Sequence, residues 1–328
     1  MERYASELCS EIERRRQEIA DTLGFNTLYI GGGTPSVLPL SVLEHVVRTL
    51  GCGPFDEFTI EVNPEDIVER GPDHVRSLLA LGVDRVSMGV QSLDDGILRW
   101  MRRRHDAAGA RRAFRILRGA GVKNISVDLI FGFPSLPEAV LDSTLEEIIG
   151  WRPEHISAYQ LSIEEGSALA ALAEEGKFEE APESLCASQY QQICRRLSAA
   201  GYEHYEISNW ALPGRRARHN SAYWTRRPYV GLGPGAHSFD GRCRRANSQS
   251  LTGWSRTEET LTPQEESEER IMLGLRTSDG IPERLCDSAK VLRLISEGCL
   301  ERTSPDAAHI RIPEDKFFIS DALIADLL

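Results

Sequence analysis

The sequence contains no apolar run that approaches the roughly 20 residues of a membrane-spanning helix. Its first 12 residues include charged side chains and lack the apolar core of a signal peptide. Basic residues are also scarce, because 38 Lys and Arg stand against 50 Asp and Glu, for a formal net charge of -12. An acidic surface repels nucleic acid and anionic lipid before any specific contact forms. We therefore expect a cytoplasmic protein without a nucleic-acid partner.

Cysteines are few and are not spaced as ligand pairs. The seven are Cys9, Cys52, Cys186, Cys194, Cys243, Cys286 and Cys299, with no C-x-x-C or C-x-x-x-C pair among them. Their odd number fits reduced thiols better than a disulfide framework. Cys186 and Cys194 are predicted on one helix, about 12 Å apart along its axis, which is too far to bind one metal ion. We predict no metal site in this sequence.

A chain of 328 residues, 41% of them hydrophobic, suffices for one large α/β domain and a smaller appendage. From about Asn26, short aliphatic runs alternate with amphipathic stretches, which predicts parallel β/α units. The predicted strands cover 27–30, 58–62, 85–90, 125–130 and 155–161. The predicted helices cover 41–50, 73–81, 95–103, 107–120 and 138–149.

Each predicted strand ends in glycine or polar residues. They are Gly31 to Thr34, Glu61 and Asn63, Gln91 and Ser92, Asp128, and Tyr159 with Gln160. In a β/α barrel such ends converge on one mouth, so we favour a closed or partial parallel barrel over a doubly wound sheet. The glycines offer backbone N–H groups to an anion, and Arg103 can meet a carboxylate as a fork. Each group alone fits a turn or a salt bridge equally well, but together they favour a ligand site.

The pattern changes after residue 161. A polar helix over 181–200 and a strand over 202–208 precede a long segment rich in Gly, Pro, Arg and aromatic residues, which we predict to be irregular. Helices near Pro263 and over 289–297, an extended pair at 309–312 and 316–319, and a helix over 320–328 are typical of a winged-helix-like module. The predicted domains are a barrel (1–210), an irregular segment (211–260) and this α+β module (261–328).

Several ordered motifs resemble a known family. They are Y-I-G-G-G-T-P-S at 29–36, T-I-E-V-N-P at 59–64, R-V-S-M-G-V-Q-S at 85–92, R-R-H at 103–105, D-L-I-F-G-F-P at 128–134 and H-I-S-A-Y at 155–159. The likeness continues through 201–209, 218–224 and 231–238. In these motifs the chain resembles the HemW heme-chaperone family, which belongs to the radical S-adenosylmethionine (SAM) proteins related to oxygen-independent coproporphyrinogen III oxidase.

The resemblance implies a partial six-stranded barrel of the radical SAM type with a SAM pocket. Gly32, Gly33 and Thr34 would receive the methionyl part of SAM. The residues implied to line the rest of the pocket are Glu61, Gln91, Arg103, Asp128 and Ala158. Arg102 departs from the pattern, because relatives often have glycine there.

A larger departure from the family pattern concerns the cysteines that hold an iron-sulfur cluster. The family begins with a strand and a C-x-x-x-C-x-x-C loop that holds a 4Fe-4S cluster, whereas residues 1–11 here resemble the helix after that loop. We therefore expect the first strand and the cluster ligands to be missing, naturally or by truncation, and Cys9 alone cannot replace them. We expect this polypeptide not to cleave SAM reductively. No catalytic residue is predicted, and whether the protein is an enzyme stays open.

Residues 218–224 resemble the H-N-x-x-Y-W signature of the chaperone branch. The resemblance implies a heme site of His219, Asn220, Tyr223 and Trp224. An imidazole can ligate heme iron, and aromatic rings can cover a porphyrin face. Guanidinium groups can pair with heme propionates, and those nearby belong to Arg215, Arg216 and Arg218. A hydrogen-bonded structural histidine with two core aromatics is the alternative, and His204 and His237 are weaker heme candidates.

The sequence leaves three functions open. The first is a heme carrier that uses SAM and a 4Fe-4S cluster in its complete form and transfers heme to respiratory acceptor proteins, with transient membrane contact, as a monomer or a dimer. The second is oxidative decarboxylation of coproporphyrinogen III, against which the missing cluster ligands and the signature both count. The third is a barrel enzyme for a phosphorylated metabolite, for which the sequence has no Gly-rich loop late in the barrel.

Overall fold

The structure is a computed structural model that describes residues 2–22, 26–251, 253–303 and 308–328. The chain forms two compact units, each built from separated stretches. Unit 1 contains Met1–Ile60, Asp73–Asp84 and Ala217–Leu328, and unit 2 contains Glu61–Pro72 and Arg85–Arg216. No helix in the described ranges is long and apolar enough to cross a membrane. The predicted domain boundaries at 210 and 260 stay a prediction.

The helices are α1 (Glu2–Arg14), α2 (Arg16–Asp21), α3 (Leu40–Leu50), α4 (Pro64–Ala80), α5 (Asp95–Trp100), α6 (Ala107–Ala120), α7 (Glu138–Trp151), α8 (Ala168–Glu174), α9 (Glu183–Ala199), α10 (Arg218–Trp224), α11 (Pro263–Gly274), α12 (Ser288–Ser296) and α13 (Ser320–Leu327). The strands are β1 (Thr27–Ile30), β2 (Glu57–Val62), β3 (Arg85–Gln91), β4 (Ile125–Phe131), β5 (His155–Gln160), β6 (Glu203–Glu206), β7 (Asn209–Ala211), β8 (His237–Phe239), β9 (Cys243–Asn247), β10 (Arg256–Thr260), β11 (Ile281–Pro282), β12 (Glu301–Arg302) and β13 (His309–Arg311).

The parallel strands form as predicted. All five strands expected between residues 27 and 161 are confirmed to within one residue at each end. In unit 2, β3, β4 and β5 are parallel neighbours, and α6 and α7 lie in the crossovers between them. Parallel neighbours need such a crossover, because a tight turn can join only antiparallel strands. In unit 1, β1 is parallel to β2.

Local sequence determines where the crossover helices begin and end. The side chain of Asp106 accepts a hydrogen bond from the backbone N–H of Gly109, which caps the first turn of α6. Gly121 ends α6 at φ 105°, a left-handed conformation that favours glycine. The buried face of α6 packs the completely buried Ala113 and Leu117 into the core of the unit. Burying a leucine of this kind stabilises the fold by about 2 kcal/mol.

Two predicted helices have different bounds in the structure. The helix predicted over 73–81 begins earlier, at Pro64, and contains a break where Gly71 adopts φ 72° before Pro72. The helix predicted over 95–103 ends at Trp100, because Arg102 has a φ of 55° that an α-helix cannot contain. Arg103 therefore lies after α5 rather than on it.

The prediction of one strand over 202–208 is wrong. The segment contains β6, and the chain then reverses into β7, which pairs antiparallel with both β6 and β5. The reversal is held by side chains. The backbone N–H of Ser208 donates to the Glu206 carboxylate at 3.1 Å, and the Tyr190 hydroxyl donates to the carbonyl of Ile207 at 2.6 Å.

The prediction that 211–260 is irregular is also wrong for much of its length. The segment contains α10 and an antiparallel sheet in the order β10-β9-β8. The strands are short and carry many charged side chains, so they lack the apolar alternation that marks a strand in sequence. Their charges pair across the sheet instead, as Arg245 of β9 does with Glu258 of β10 at 2.8 Å.

The C-terminal module alternates helices with a small sheet in the order β11-β13-β12. Thr262 and Glu265 form a capping box at the start of α11. The extended pair predicted at 309–312 and 316–319 is wrong in its second half, because Glu314–Ile319 is a 3-10 helix that follows Pro313. β13 pairs with β11 and β12 instead, and Phe317 is completely buried.

Buried ion pairs connect the N-terminal helices to the later part of unit 1. Arg15, between α1 and α2, donates to Glu11 at 2.8 Å and to the carbonyl of Gly231 at 2.6 Å. The Glu11 carboxylate also accepts from the Asn247 side chain and the Gly233 backbone, both at 2.8 Å. Both charges are nearly enclosed, so each needs these partners. Removing Arg15 would leave the buried Glu11 carboxylate without its ion-pair partner.

Candidate functional site

One face of β3, β4 and β5 is polar although the strands are buried. Side chains of a strand alternate between faces, so every second residue shares a face. The residues on this face are Arg85, Ser87, Gly89 and Gln91 of β3, Ser126 and Asp128 of β4, and His155, Ser157 and Tyr159 of β5. Buried polar side chains on such a face need hydrogen bonds to one another or to a ligand. It is the candidate site of unit 2.

Asp128 lies at the centre of this face. The Ser87 hydroxyl donates to its two carboxylate oxygens at 3.2 and 3.1 Å, and Ser157 contributes a further side-chain hydrogen bond. Burial raises the pKa of Asp128 to about 6, and the charge of Glu61 adds to that rise. The serine hydrogen bonds and the charge of Arg85 oppose it. Asp128 is therefore a carboxylate that changes its charge close to neutral pH.

Gln91 is held in a conformation unusual for a residue with a side chain. Its φ is 66°, and the β3–β4 pairing is irregular between Gly89 and Gln91. A Cβ atom on Gly89 would lie 2.9 Å from the Gln91 amide nitrogen and 3.6 Å from the Asn63 amide oxygen. Glycine at position 89 therefore makes room for the Gln91 side chain. Backbone strain of this kind is concentrated at functional sites.

The remaining predicted SAM residues of unit 2 are near the same strand ends. Ala158 is buried, pairs with Leu129 beside Asp128, and donates its N–H to the carbonyl of Ser208 at 2.9 Å. Arg103 lines a cavity of about 270 Å³. Unit 2 thus brings Gln91, Asp128 and Ala158 onto adjacent strands, with the charge of Glu61 acting on Asp128.

A second set of hydrogen bonds continues along the polar face. The two ring nitrogens of His155 lie 2.8 Å from the Ser126 hydroxyl and 2.8 Å from the Tyr205 hydroxyl. Burial and the charge of Arg85 hold the pKa of His155 well below its usual range. A neutral imidazole with both nitrogens bonded serves to position its neighbours rather than to carry charge.

The Gly31–Thr34 loop follows β1 in unit 1. Gly32 adopts φ 100°, a conformation that favours glycine, and no atom lies within 4 Å of a Cβ built on Gly32 or Gly33. Both glycines are exposed. The loop therefore has open space where a ligand can approach the backbone.

The H-N-x-x-Y-W signature forms α10, which is attached to β1 and β2. The buried Glu57 carboxylate accepts the backbone N–H groups of Arg218 and His219 at 2.8 and 3.0 Å. The His219 ring stacks on Tyr29 at 5.1 Å between centroids, and its Nδ1 lies 2.8 Å from the Thr27 hydroxyl. Carboxylates stabilise helix N-termini, so Glu57 stabilises this short helix.

The outer side of α10 is the part of the signature that can meet a ligand. His219 Nε2 lies 2.9 Å from the hydroxyl of Tyr223, a residue that is 40% exposed. Asn220 and Trp224 are partly exposed. The adjacent cavity holds about 110 Å³, far less than the roughly 300 Å³ of a small-molecule site. It cannot enclose a ligand of the size of a porphyrin.

The weaker heme candidates have different surroundings. His204 is buried and stacks on Trp210 at 4.2 Å, and burial lowers its pKa to about 4. It therefore belongs to the core of unit 2. His237 is exposed at the start of β8. Of the predicted propionate partners, Arg215 and Arg218 are exposed, whereas Arg216 lies over the Tyr205 ring at 5.5 Å and 3.6 Å from Glu203.

The described residues do not fit a 4Fe-4S cluster. Three thiolates are needed to hold such a cluster with one iron open to SAM. All seven cysteines are free, and within the described ranges no group of three His, Cys, Asp or Glu side chains is arranged to hold a metal ion. No step of the chemistry is therefore derived through a cluster.

Sequence reasoning missed several groups that shape these sites. They are Ser87 and Ser157 beside Asp128, Glu57 beneath α10, and Glu206, a buried carboxyl whose pKa burial raises to about 7. The alternation Arg85, Ser87, Gly89, Gln91 in β3 was the available signal, because polar residues at every second position share one face. Glu57 gave no such signal, since its partner lies 161 positions away.

Comparisons with known proteins agree with this geometry. Residues 2–148 match the family model described as the radical SAM superfamily. The chain is 33% identical over 294 residues to the heme chaperone HemW of Synechocystis sp., covering 85% of this chain and 70% of that one. It is 29% identical over 289 residues to the HemW of Bacillus subtilis, covering 82% and 76%.

The chain is also similar to a mitochondrial protein and to a solved structure. The mitochondrial radical S-adenosyl methionine domain-containing protein 1 of Danio rerio is 33% identical over 277 residues, which are 78% of this chain and 62% of that one. Coproporphyrinogen III oxidase (HemN) of Escherichia coli superimposes with a TM-score of 0.79 at 18% identity, covering 99% of this chain and 82% of that one. That likeness confirms the predicted α/β fold with a partial parallel barrel, and the sequence identities show that the chain belongs to the HemW heme-chaperone family of radical SAM proteins.

Proposed function

We propose that the protein is a cytoplasmic heme chaperone that binds heme and transfers it to acceptor proteins of respiration, with transient membrane contact. The observation that carries the proposal is the family membership, with an identity of 33% over 85% of the chain to a protein named as a heme chaperone. The H-N-x-x-Y-W signature on α10 supports it, because this helix combines an imidazole with two partly exposed aromatic rings. Such groups can ligate iron and cover a porphyrin face.

SAM is the proposed cofactor. Gly32, Gly33 and Thr34 would bind its methionyl group through backbone N–H groups and a hydroxyl. The groups proposed for the rest of the molecule are Glu61, Gln91, Arg103, Asp128 and Ala158. Carboxylates and an amide suit ribose hydroxyls, and a guanidinium suits the SAM carboxylate. The chain's own residues would bind and orient the cofactor.

His219 is the proposed iron ligand, and Tyr223 is the group that must move first. Both ring nitrogens of His219 are engaged, Nδ1 with Thr27 at 2.8 Å and Nε2 with Tyr223 at 2.9 Å. The Tyr223 side chain is exposed enough to rotate outward and free Nε2. The Thr27 contact then keeps the ring oriented, in the way that metal-binding histidines are usually held by their second nitrogen.

Hemin titration tests this function. The full chain should shift and sharpen the Soret band of free hemin, and His219→Ala should reduce that change. Tyr223→Phe should keep the band or strengthen it, because it removes the competitor for Nε2. The exposed His45 on α3 is the matched control, and His45→Ala should leave the band unchanged. A Soret band that stays as in free hemin when the wild-type chain is added contradicts the function, and a His219→Ala spectrum identical to that of the wild type contradicts the ligand.

The coproporphyrinogen oxidase alternative is favoured by the fold alone. The likeness to HemN has a TM-score of 0.79, but 18% identity carries no information on the reaction. Incubation of the reduced, anaerobic protein with SAM and coproporphyrinogen III separates the two functions. Release of carbon dioxide from the propionates would favour the oxidase, and its absence together with a Soret band would favour the chaperone.

A further inference from the structure

Unit 2 contains a second cavity of interest. Of the residues proposed to bind SAM, Arg103 alone is among its described lining residues. It holds about 270 Å³ and has α8 as one wall. We call it the α8 cavity and define it by Trp100, Arg102, Arg103, Ile130, Leu172 and Phe178. Its volume is close to the roughly 300 Å³ at which small-molecule sites begin, so it admits one edge of a large ligand.

An aromatic wall forms one side of the α8 cavity. The Trp100 ring stacks on Phe133 at 5.5 Å with an interplanar angle of 19°, and lies 5.8 Å from the ring of Phe178. Trp100 nevertheless remains 41% exposed. A large aromatic side chain fixed by two neighbours but open to solvent offers a rigid, flat surface. Such a surface stacks well against a planar apolar ring.

The charged side chains that line the α8 cavity are all positive. Arg102, Arg103 and Lys177 line it, and no Asp or Glu is among its described lining residues. Lys177 is neutralised by Glu175 at 2.6 Å, whereas the guanidinium groups of Arg102 and Arg103 make no hydrogen bond or ion pair within the described chain. This is unusual in a protein with a net charge of -12. Two unpaired guanidinium groups beside an apolar wall fit a ligand that carries carboxylates.

Arg102 occupies this position against its backbone preference. Its φ of 55° is the left-handed conformation that follows many helix ends and favours glycine. An arginine at such a position strains the backbone, and its side chain is exposed at the cavity rim. Nothing in the fold of α5 requires that guanidinium. Strain without a structural benefit points to a role in binding.

We propose that the α8 cavity binds a flat apolar ring system with ionised carboxylates at one edge, namely a porphyrin held by its propionates. Trp100 and Phe178 contact the ring, and Arg102 and Arg103 pair with the carboxylates. Because Arg103 is shared with the proposed SAM site, Arg102 is the residue that determines preference for the carboxylates. The inference depends on the proposed function only for identifying the ring as a tetrapyrrole, and it assigns part of the recognition to residues of unit 2 in addition to the signature of unit 1.

Metal-free protoporphyrin IX is the probe that tests the proposal, because it has the propionates but no iron for a histidine to ligate. Its dimethyl ester is the matched ligand without charge. Binding to the full chain is followed by quenching of tryptophan emission. The free acid should bind about 10-fold more tightly than the ester, as expected for loss of a charge-assisted hydrogen bond.

Three substitutions test which side chains bind the porphyrin, one of them as a control outside the cavity. Arg102→Gln should weaken the free acid about 10-fold and leave the ester unchanged. Arg99 is exposed on α5 and does not line the cavity, so Arg99→Gln is the matched control and should leave both ligands unchanged. Trp100→Leu should weaken the free acid and the ester alike, with the intrinsic fluorescence of the porphyrin as the readout.

The outcomes distinguish this site from the signature. No porphyrin binding, equal binding of acid and ester, or an Arg102→Gln variant identical to Arg99→Gln would each overturn the proposal. Loss of the metal-free probe in a folded His219→Ala protein would also overturn it, because the ring would then bind at α10. The hemin Soret band is measured independently, so the heme function can fail while this site stands, and the reverse.

Discussion

Asp128→Asn should stabilise the protein at neutral pH while removing its central carboxylate. Asp128 is enclosed by Ser87 and Ser157, and burial raises its pKa from 3.8 to about 6. The asparagine amide oxygen still accepts hydrogen bonds from these hydroxyls, without a charge to desolvate. The substitution therefore isolates the cost of placing an ionised carboxylate on the polar face of unit 2.

The magnitude follows from the pKa of the folded protein. Because this pKa of about 6 lies above the ordinary 3.8, the folded chain keeps its proton where the unfolded chain has lost it. This contribution favours folding at low pH and is lost as pH rises from about 4 to about 6. At about 1.4 kcal/mol for each pH unit between the two values, ionised Asp128 costs roughly 2–3 kcal/mol at pH 7.5. Asp128→Asn should recover most of that cost.

Urea unfolding at pH 4 and pH 7.5 measures the effect. The stabilisation by Asp128→Asn should be about 2 kcal/mol larger at pH 7.5 than at pH 4. Asp73, whose side chain is 92% exposed, is the control, and Asp73→Asn should change stability by less than about 0.5 kcal/mol at either pH. A gain that is equal at the two pH values, or a loss at pH 7.5, would refute the argument that burial dominates at Asp128.

Three further substitutions test the backbone and the helix contacts. Arg102→Gly should raise the free energy of unfolding by about 0.5–1 kcal/mol in a urea titration, because glycine accepts a φ of 55°; a loss of stability would show that the guanidinium stabilises the fold. Glu57→Ala should cost about 1–3 kcal/mol in the same assay, since it leaves two backbone N–H groups at α10 without their acceptor, and an unchanged midpoint would contradict this. Gly89→Ala should weaken SAM binding by calorimetry, because its Cβ would lie 2.9 Å from the Gln91 amide, whereas Gly119→Ala on α6 meets no atom within 4 Å and should leave SAM affinity unchanged; equal affinities in the two variants would exclude the crowding argument.

The regular part of the fold could be predicted because its signals are local. Apolar runs of strand length, capping residues such as Asp106 and helix-ending glycines such as Gly121 act within a few positions. The wrong predictions of secondary structure concern segments whose conformation depends on residues far away in the sequence. β9 and β10 pair with each other in an antiparallel sheet, and β13 pairs with β11 and β12 rather than with residues 316–319, which are helical. No short window of sequence contains that information.

The candidate site could likewise be predicted only where its signals are local. Strand alternation and strand ends indicated Gln91 and Asp128, because their positions follow from the periodicity of one strand. The hydrogen bond from Ser87 to Asp128 depends on the register between β3 and β4, which sequence does not specify. The engagement of both His219 nitrogens likewise depends on Thr27, a residue 192 positions away. Motif likeness gave the residue identities, and only the fold gave their hydrogen-bond partners.

The long-range hydrogen bonds of Glu11 and Arg15 have a consequence for biosynthesis. Arg15 bonds to a carbonyl 216 positions later, and Glu11 to a side chain 236 positions later. At about 5–20 residues per second, a ribosome needs roughly 10 to 50 s to deliver those partners. The continuous stretch Arg85–Arg216 leaves the exit tunnel complete in the meantime. During synthesis α1 therefore stays without these partners for that time, and it is open to holding factors until they emerge.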